Sequence, residues 1–449
     1  MKVKTINRSE EACTRERAQD VVKVHRNLDP ALHPFDRAVE YTRALAAAKT
    51  ERLFARPFLA ALPHDDGVTC LARNPLRLGA LLSGAADGGV RLWDVAARRC
   101  LRRLVGHTGA VRGLAHVPSG DAAVSASTDA TVKLWRVPFA PFDGGPVEED
   151  ALPVAEWVGA HPFLGVDHHW QRPQFVTAGA AAQLWDHARG EPVAAFTWGA
   201  DSLSSARFNP AEPDLFATTG SDRGVALYDL RAGAPVRKLV MQAKTNAVAW
   251  NPMEPLNFTL ASDDACLYTY DMRRLAGAAC VHKDFVSAVM DVDFSPTGRE
   301  FVAGSYDRTV RLFASAGGHS RDVYHAKRQQ RVFAVRFSGD GAYVFSGSDD
   351  MNVRLWKADA AAQLGTLLPR ERAKAAYSKA LVERHRHMPE VKRVARHRHV
   401  PAAIHKASKL RRAQEDSERR RAANRAAHSA PGAVPLKPAR RKKVVAELE

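Results

Sequence analysis

The chain has 449 residues, 45% of them apolar, and a formal net charge of +17 at pH 7, so it can bury a large core and is not a disordered polymer overall. That charge is uneven: Lys357–Glu449 holds 24 Lys and Arg against 9 Asp and Glu, the preceding residues 42 against 40, and a basic appendage on a near-neutral body points to a polyanionic partner, most simply nucleic acid. Five scattered cysteines (Cys13, Cys70, Cys100, Cys266, Cys280) lack ligand spacing, the N-terminus is charged, and no apolar run reaches the roughly 18 residues of a membrane span, which argues against a disulfide framework, a zinc module, secretion and membrane insertion.

In chain order, DPALHPF (29–35) carries two prolines with Leu32 and Phe35, apolar residues of the kind usually buried. This predicts an extended arm lying along a partner or along the body of the protein. Seven related segments follow: VRLWD (90–94), VKLWR (132–136), AQLWD (182–186), VALYD (225–229), LYTYD (267–271), VRLFA (310–314) and VRLWK (353–357). Their aromatic residues are Trp93, Trp135, Trp185, Tyr228, Tyr270, Phe313 and Trp356, separated by 42, 50, 43, 42, 43 and 43 residues. Six residues before six of them stands an aspartate (Asp87, Asp129, Asp222, Asp264, Asp307, Asp350); the third repeat has Gly179 there. Each aspartate ends a small, hydroxyl-rich strand, and upstream lies an apolar strand closed by an Asn, Pro or Gly turn, as in ARFNP and VDFSPTG. The unit is a β-meander repeated seven times.

These residues resemble the WD40 repeat, whose four-stranded blades close into a propeller. Gly106-His107 supplies the family's Gly-His pair, with His64, His161, His282 and His325 at comparable places. The resemblance implies that His107, Asp129 and Trp135 form a buried support for their blade rather than a catalytic triad. Both FLAAL (58–62) and QLGTLL (363–368) suit the outer strand of the last blade, and only one can occupy it. VPFAPFDGGPVEEDALPV (137–154) is expected as an acidic rim loop.

No P-loop, HExxH or nucleophile elbow occurs, and neither a catalytic residue, a metal nor a cofactor is expected. In DHHW (167–170), His168 and His169 are adjacent on a strand and point to opposite faces, which disfavours joint chelation. Repeats four and five share Asp-x-Arg, Asp229 with Arg231 and Asp271 with Arg273. This pair resembles the adaptor-contacting pattern of WD40 substrate receptors of cullin-RING ubiquitin ligases; the plain alternative is that each arginine pairs with a neighbouring carboxylate.

Beyond Trp356 the two-residue alternation stops. PRERAKAAYSKALVERHRHMP (369–389) places Ala373, Ala376, Tyr377, Ala380 and Leu381 on one thin helical stripe, which must dock on something. Residues 401–432 predict a second, more polar helix. Lys392, Arg393, Arg396, His397, Arg398 and His399, with Arg411, Arg412, Arg419, Arg420 and Arg421, are candidates for contacting an RNA particle through phosphates and unpaired bases. Arg440, Arg441, Lys442 and Lys443 suffice for a nuclear import signal.

MKVKTINR, residues 26–62, DHHW, TWGADSLSSARFNP, WNPMEP, KRVARHRHVP and HSAPGAVPL together resemble the SOF-domain WD-repeat family from end to end. The resemblance implies a non-catalytic nucleolar protein of the small-subunit processome that handles precursor ribosomal RNA with box C/D small nucleolar RNP. It also implies, for metazoan relatives, a role as a ligase substrate receptor. The expected architecture is all-β: an N-terminal extension (1–57), a seven-bladed WD40 propeller (58–368) and a basic helical C-terminal domain (369–449).

Overall fold

The computed structural model describes residues 30–138, 152–198, 202–232, 235–430, 433 and 438–448. The N-terminal residues 1–29 and most of the expected acidic loop, 139–151, lie outside the described residues. Seven antiparallel sheets are present, and the first strands of successive sheets are neighbours all the way round, so that Val68–Arg73 adjoins Val332–Phe337 and closes a seven-bladed propeller. Blade 1 runs through Val68–Arg73, Ala80–Ala85, Val90–Asp94 and Arg99–Leu104; blades 2 to 6 repeat the meander from Val111, Gly165, Leu203, Thr245 and Val289. Blade 7 combines Val332–Phe337, Tyr343–Ser348 and Asn352–Lys357 with Phe58–Pro63, whose Leu62 pairs with Val353. Of the two segments that could close the ring, Phe58–Pro63 does so; residues 363–368 form no strand.

The repeat aromatics are buried in third strands, and their chemistry splits the blades into two kinds. Where the residue is Trp, the buried indole N–H needs an acceptor: Trp93 donates to Ser83 Oγ (2.7 Å), Trp135 to Ser125 Oγ (2.8 Å), Trp185 to Thr177 Oγ1 (3.0 Å) and Trp356 to Ser346 Oγ (2.8 Å). Where it is Tyr or Phe, it stacks on the cross-strand Phe, as in Phe216–Tyr228 (centroids 5.0 Å), Phe258–Tyr270 (6.0 Å) and Phe301–Phe313 (5.3 Å).

The six turn aspartates share one geometry. The residue after each is left-handed, with φ of 86° at Gly88, 62° at Ala130, 64° at Arg223, 62° at Ala265, 67° at Arg308 and 61° at Met351. In five of the turns the carboxylate accepts the N–H two residues on, at 2.8 to 3.0 Å, which holds this otherwise disfavoured conformation. Only blade 1 needs glycine there, because a Cβ on Gly88 would sit 2.5 Å from the His107 carbonyl.

The described chain groups into two compact units: Met1–Pro57 with Asp359–His399, and Phe58–Ala358 with Val400–Glu449. This differs from the sequence boundaries, since residues after 368 divide between the two. In the first unit, α1 (Asp36–Leu53), α2 (Pro369–Arg384) and α3 (Pro389–Ala395) bury Ala44, Leu381 and Val391 together, with Tyr41 and Tyr377 packed alongside. Within the segment expected to be extended, 29–35, Pro30–Leu32 forms a short 3-10 turn, and the N-terminal extension continues as the helix 36–53, which the sequence reading leaves unassigned. Its buried stripe, Glu40, Ala44 and Ala48, is too small to show as apolar periodicity. Tyr41 donates to Glu390 (2.7 Å) and Arg52 to the Ala395 carbonyl (2.6 Å). Leu32 and Phe35 are exposed.

In the second unit, α4 (Ala402–Ala427) and the turn α5 (Ala439–Lys442) precede a strand, Val444–Leu448, which pairs antiparallel with Pro235–Met241 and gives blade 4 a fifth strand. The sequence reading has no strand here.

Candidate interaction surfaces

His107 lies where the blade 1 outer strand passes into blade 2. Its Nε2 meets Ser125 Oγ (2.7 Å) and its Nδ1 meets Asp129 Oδ2 and Thr131 Oγ1 (both 3.0 Å). Because Trp135 already donates to Ser125, the hydroxyl is free to donate to Nε2, and Nδ1–H then faces Asp129: a chain Trp135, Ser125, His107, Asp129. Burial holds the imidazole below its usual pKa and so neutral. Although burial alone would raise Asp129, hydrogen bonds from Thr131 and His107 bring it down to about 2. Ser125 and His107 are both buried within the blade, and the chain ties two strands, the turn between them and the loop that enters the blade.

His64 repeats part of this, meeting Ser83 Oγ at 2.8 Å, but Asp87 does not complete it and His64 Nδ1 is buried without a partner. The other three histidines grouped with them by sequence sit elsewhere. His161 is exposed, with the buried Phe163 packing beside Trp185. His282 ends a blade 5 outer strand and bonds Thr269 (3.0 Å) of its own blade, and His325 directly follows the blade 6 outer strand. His282 and His325 stand seven residues before the next inner strand, where His64 and His107 stand four; His161 also stands four before Gly165 but is exposed, in the blade whose turn has Gly179 in place of aspartate.

His168 and His169 are both buried and do face apart. His168 Nε2 lies 3.0 Å from His187 Nε2, while His169 Nε2 donates to the Pro213 carbonyl (2.8 Å) and its Nδ1 accepts from Gln171 and Arg172 (both 2.9 Å). Their nitrogens organise a turn and an inter-blade contact. Among the described residues no group of three or more His, Cys, Asp or Glu could hold a metal.

On the rim of blades 4 and 5 the two Asp-x-Arg pairs adopt the same fork. Arg231 donates from Nε and Nη2 to Asp229 (3.2 and 3.1 Å), and Arg273 to Asp271 (3.1 and 2.7 Å). Hydrogen bonds from the arginines hold both carboxyls below the usual carboxylate range. The arginine side chains nonetheless remain 71% and 64% exposed. Arg237 bridges the blades by donating to the Arg273 carbonyl (2.9 Å).

The basic candidates divide. Lys392, Arg393, Arg396, His397 and His399 are exposed and Arg398 is half-buried, all in or just after α3 of the first unit. Arg412, Arg419, Arg420 and Arg421 are exposed on α4, a helix with eight Lys and Arg, three acidic residues and no buried residue. Arg411 does not belong with them. It donates to the carbonyls of Phe285 and Asp264 (both 2.8 Å), and so is committed to the propeller. A guanidinium that replaces water on two carbonyls is not free for a phosphate. Arg440, Arg441 and Lys442 are exposed and Lys443 is half-buried, while the Arg440 and Lys443 carbonyls accept from Ala278 (3.0 Å) and Gln242 (2.9 Å).

Seven blades, each with a third-strand aromatic, six with a turn aspartate and one with a complete Gly-His support, define a WD-repeat propeller. Residues 57–94, 98–136, 279–313 and 318–357 match the family described as WD domain, G-beta repeat, and residues 358–444 match the Sof1-like domain. The chain is 46% identical over 450 residues to DDB1- and CUL4-associated factor 13 of Danio rerio and 45% identical to the Homo sapiens protein of that name, covering all of each. It is 42% identical to Protein SOF1 of Saccharomyces cerevisiae, over 94% of this chain and 91% of that protein. The chain belongs to the SOF-domain WD-repeat family.

Proposed function

We propose that this protein is a non-catalytic assembly factor of the small-subunit processome, acting in the nucleus and nucleolus. Its basic segments hold precursor ribosomal RNA, and its blade rims hold box C/D snoRNP proteins and other processome subunits. The observation that carries the reading is α4: a 26-residue helix with no buried residue and a strong cationic excess. A helix polar on all sides gains nothing from the protein core, and a cationic one is suited to repeated phosphate contacts. Lys392–His399 adds a second exposed basic cluster, and Arg440–Lys443 remains the proposed import signal. Purification of the tagged protein from cells at moderate salt is expected to bring down precursor ribosomal RNA with box C/D proteins, and nuclease should release part of the set. Recovery of a cullin adaptor without RNA would reverse the ranking.

A second reading, a substrate receptor of a cullin-RING ligase, draws on the duplicated forks at Arg231 and Arg273 and on the name of the vertebrate relatives, DDB1- and CUL4-associated factor 13. Each fork engages its own aspartate, Arg231 reaching Asp214 as well (3.5 Å), and both arginine side chains stay largely exposed. Arg231→Ala with Arg273→Ala is expected to abolish adaptor pull-down while leaving the melting temperature within about 1 °C, since exposed ion pairs contribute little to stability. Undiminished pull-down removes this reading.

A further inference from the structure

The innermost strands of all seven blades line a central channel of about 240 Å³. Its wall is mostly small or polar, with Gly113, Gly165, Ser204 and Ser205 among the lining residues. Four cations reach it, Arg112 from blade 2, Arg207 from blade 4, Lys244 at the start of blade 5 and Arg336 from blade 7, against one lining carboxylate, Asp291. Two of the four are neutralised internally: Arg336 Nη1 lies 2.9 Å from Asp291, and Arg207 Nη1 lies 3.3 Å from the half-buried Asp167. Both of those carboxylates also accept backbone N–H groups, from Val335 (3.0 Å) and Phe208 (2.8 Å), which fixes them in place. Arg112 is exposed and Lys244 half-buried, and among the described residues neither has a carboxylate within ion-pair distance.

We propose that the channel receives an acidic side chain from an extended segment of a partner protein, with Arg112 and Lys244 as its charge partners. Two cations without counter-ions at a narrow channel leave a positive field there, so an anion is the ligand the site favours. Size selects among anions. The volume falls below the roughly 300 to 1,000 Å³ of pockets that enclose drug-sized molecules, so it suits one or two carboxylate side chains rather than a whole nucleotide. Ser204 and Asn246 already bond within the blades, to Thr219 (2.9 Å) and Asp263 (2.7 Å), which leaves charge rather than directional hydrogen bonding as the main source of recognition.

The test uses the full chain and a fluorescein-labelled peptide of alternating Glu and Gly, followed by anisotropy at low salt. Arg112→Gln with Lys244→Gln is expected to weaken binding about tenfold or more, the effect of removing both charge partners of the acidic side chain. Ser205→Phe, which fills the channel without changing net charge, should do the same. Lys327→Gln with Arg328→Gln, an equal charge change at exposed positions between blades 6 and 7, should leave binding within about twofold. Equal affinity in the Arg112/Lys244 variant overturns the proposal, as would happen if the peptide bound only the basic helix. So does equal weakening by the Lys327/Arg328 control. A third overturning result is loss of binding to a single-stranded RNA oligomer, rather than to the peptide, on changing Arg112 and Lys244. Should Ser205→Phe fail to fold, the two charge variants still decide.

Discussion

Replacing Lys392, Arg393, Arg396, Arg398, Arg412, Arg419, Arg420 and Arg421 together with Gln should lower affinity for precursor ribosomal RNA fragments by on the order of 10³ at moderate salt and flatten its salt dependence. Each cation on a single-stranded phosphate contributes roughly 0.7 to the slope of log affinity against log salt, so eight of them account for a change of roughly 6. Seven of the eight side chains are exposed. None belongs to the propeller core, so the melting temperature should hold. Arg411→Gln should behave in the opposite way: the RNA slope is unchanged, while α4 loses its bonds to Phe285 and Asp264 and becomes more open to proteolysis. Titrations of the eight-site variant at several salt concentrations check the first result. An unchanged slope would remove the tail as the RNA-binding element and leave the blade rims.

Acid should destabilise the protein between about pH 6.5 and pH 4. Burial lowers the pKa of His64 to about 3, with Arg91 adding to the effect, and lowers His116, His168 and His282 to about 4. Unfolded, these groups titrate near 6.5. Between the two values the unfolded chain binds more protons than the folded one, so the stability they contribute is complete above pH 6.5 and is lost as pH falls toward 4. Each fully coupled histidine steepens the loss by up to about 1.4 kcal/mol per pH unit. His64 Nδ1 is also buried without a partner in the fold, so protonation there gains no compensating acceptor. Thermal melts from pH 7.5 to pH 4.5 should show the midpoint falling progressively below pH 6.5, and His282→Gln should lessen the fall. A midpoint constant across that range would show that the histidines protonate without strain in the folded state.

Much of this molecule was legible in its residues. Blade number, the positions of third strands and the Asp turns all follow from a repeat whose contacts are local: each meander is closed by tight turns, and each turn has its own chemical signature. The helices at 369–384 and 402–427 were equally readable, because composition and a stripe, or its absence, suffice for a helix. Three features were not. The hidden α1 buries only small residues and a carboxyl, which leaves no hydrophobic period to detect. Arg411 is indistinguishable by type from Arg412, yet the helix turns one to propeller carbonyls and the other to solvent. The central channel joins Arg112 to Lys244 across more than a hundred residues of sequence, so its charge imbalance exists only once the ring has closed.

The amino-acid sequence by itself determined a seven-fold β repeat followed by a basic helical region. Only the tertiary structure decided which segment closes blade 7, that Val444–Leu448 adds an outer strand to blade 4, and how the residues after 358 divide between two units. The reason is physical: a strand's alternation records which of its faces is buried, but the open N–H and C=O groups of a sheet edge accept any strand of suitable register, and selection among candidates comes from non-local packing that no single segment encodes.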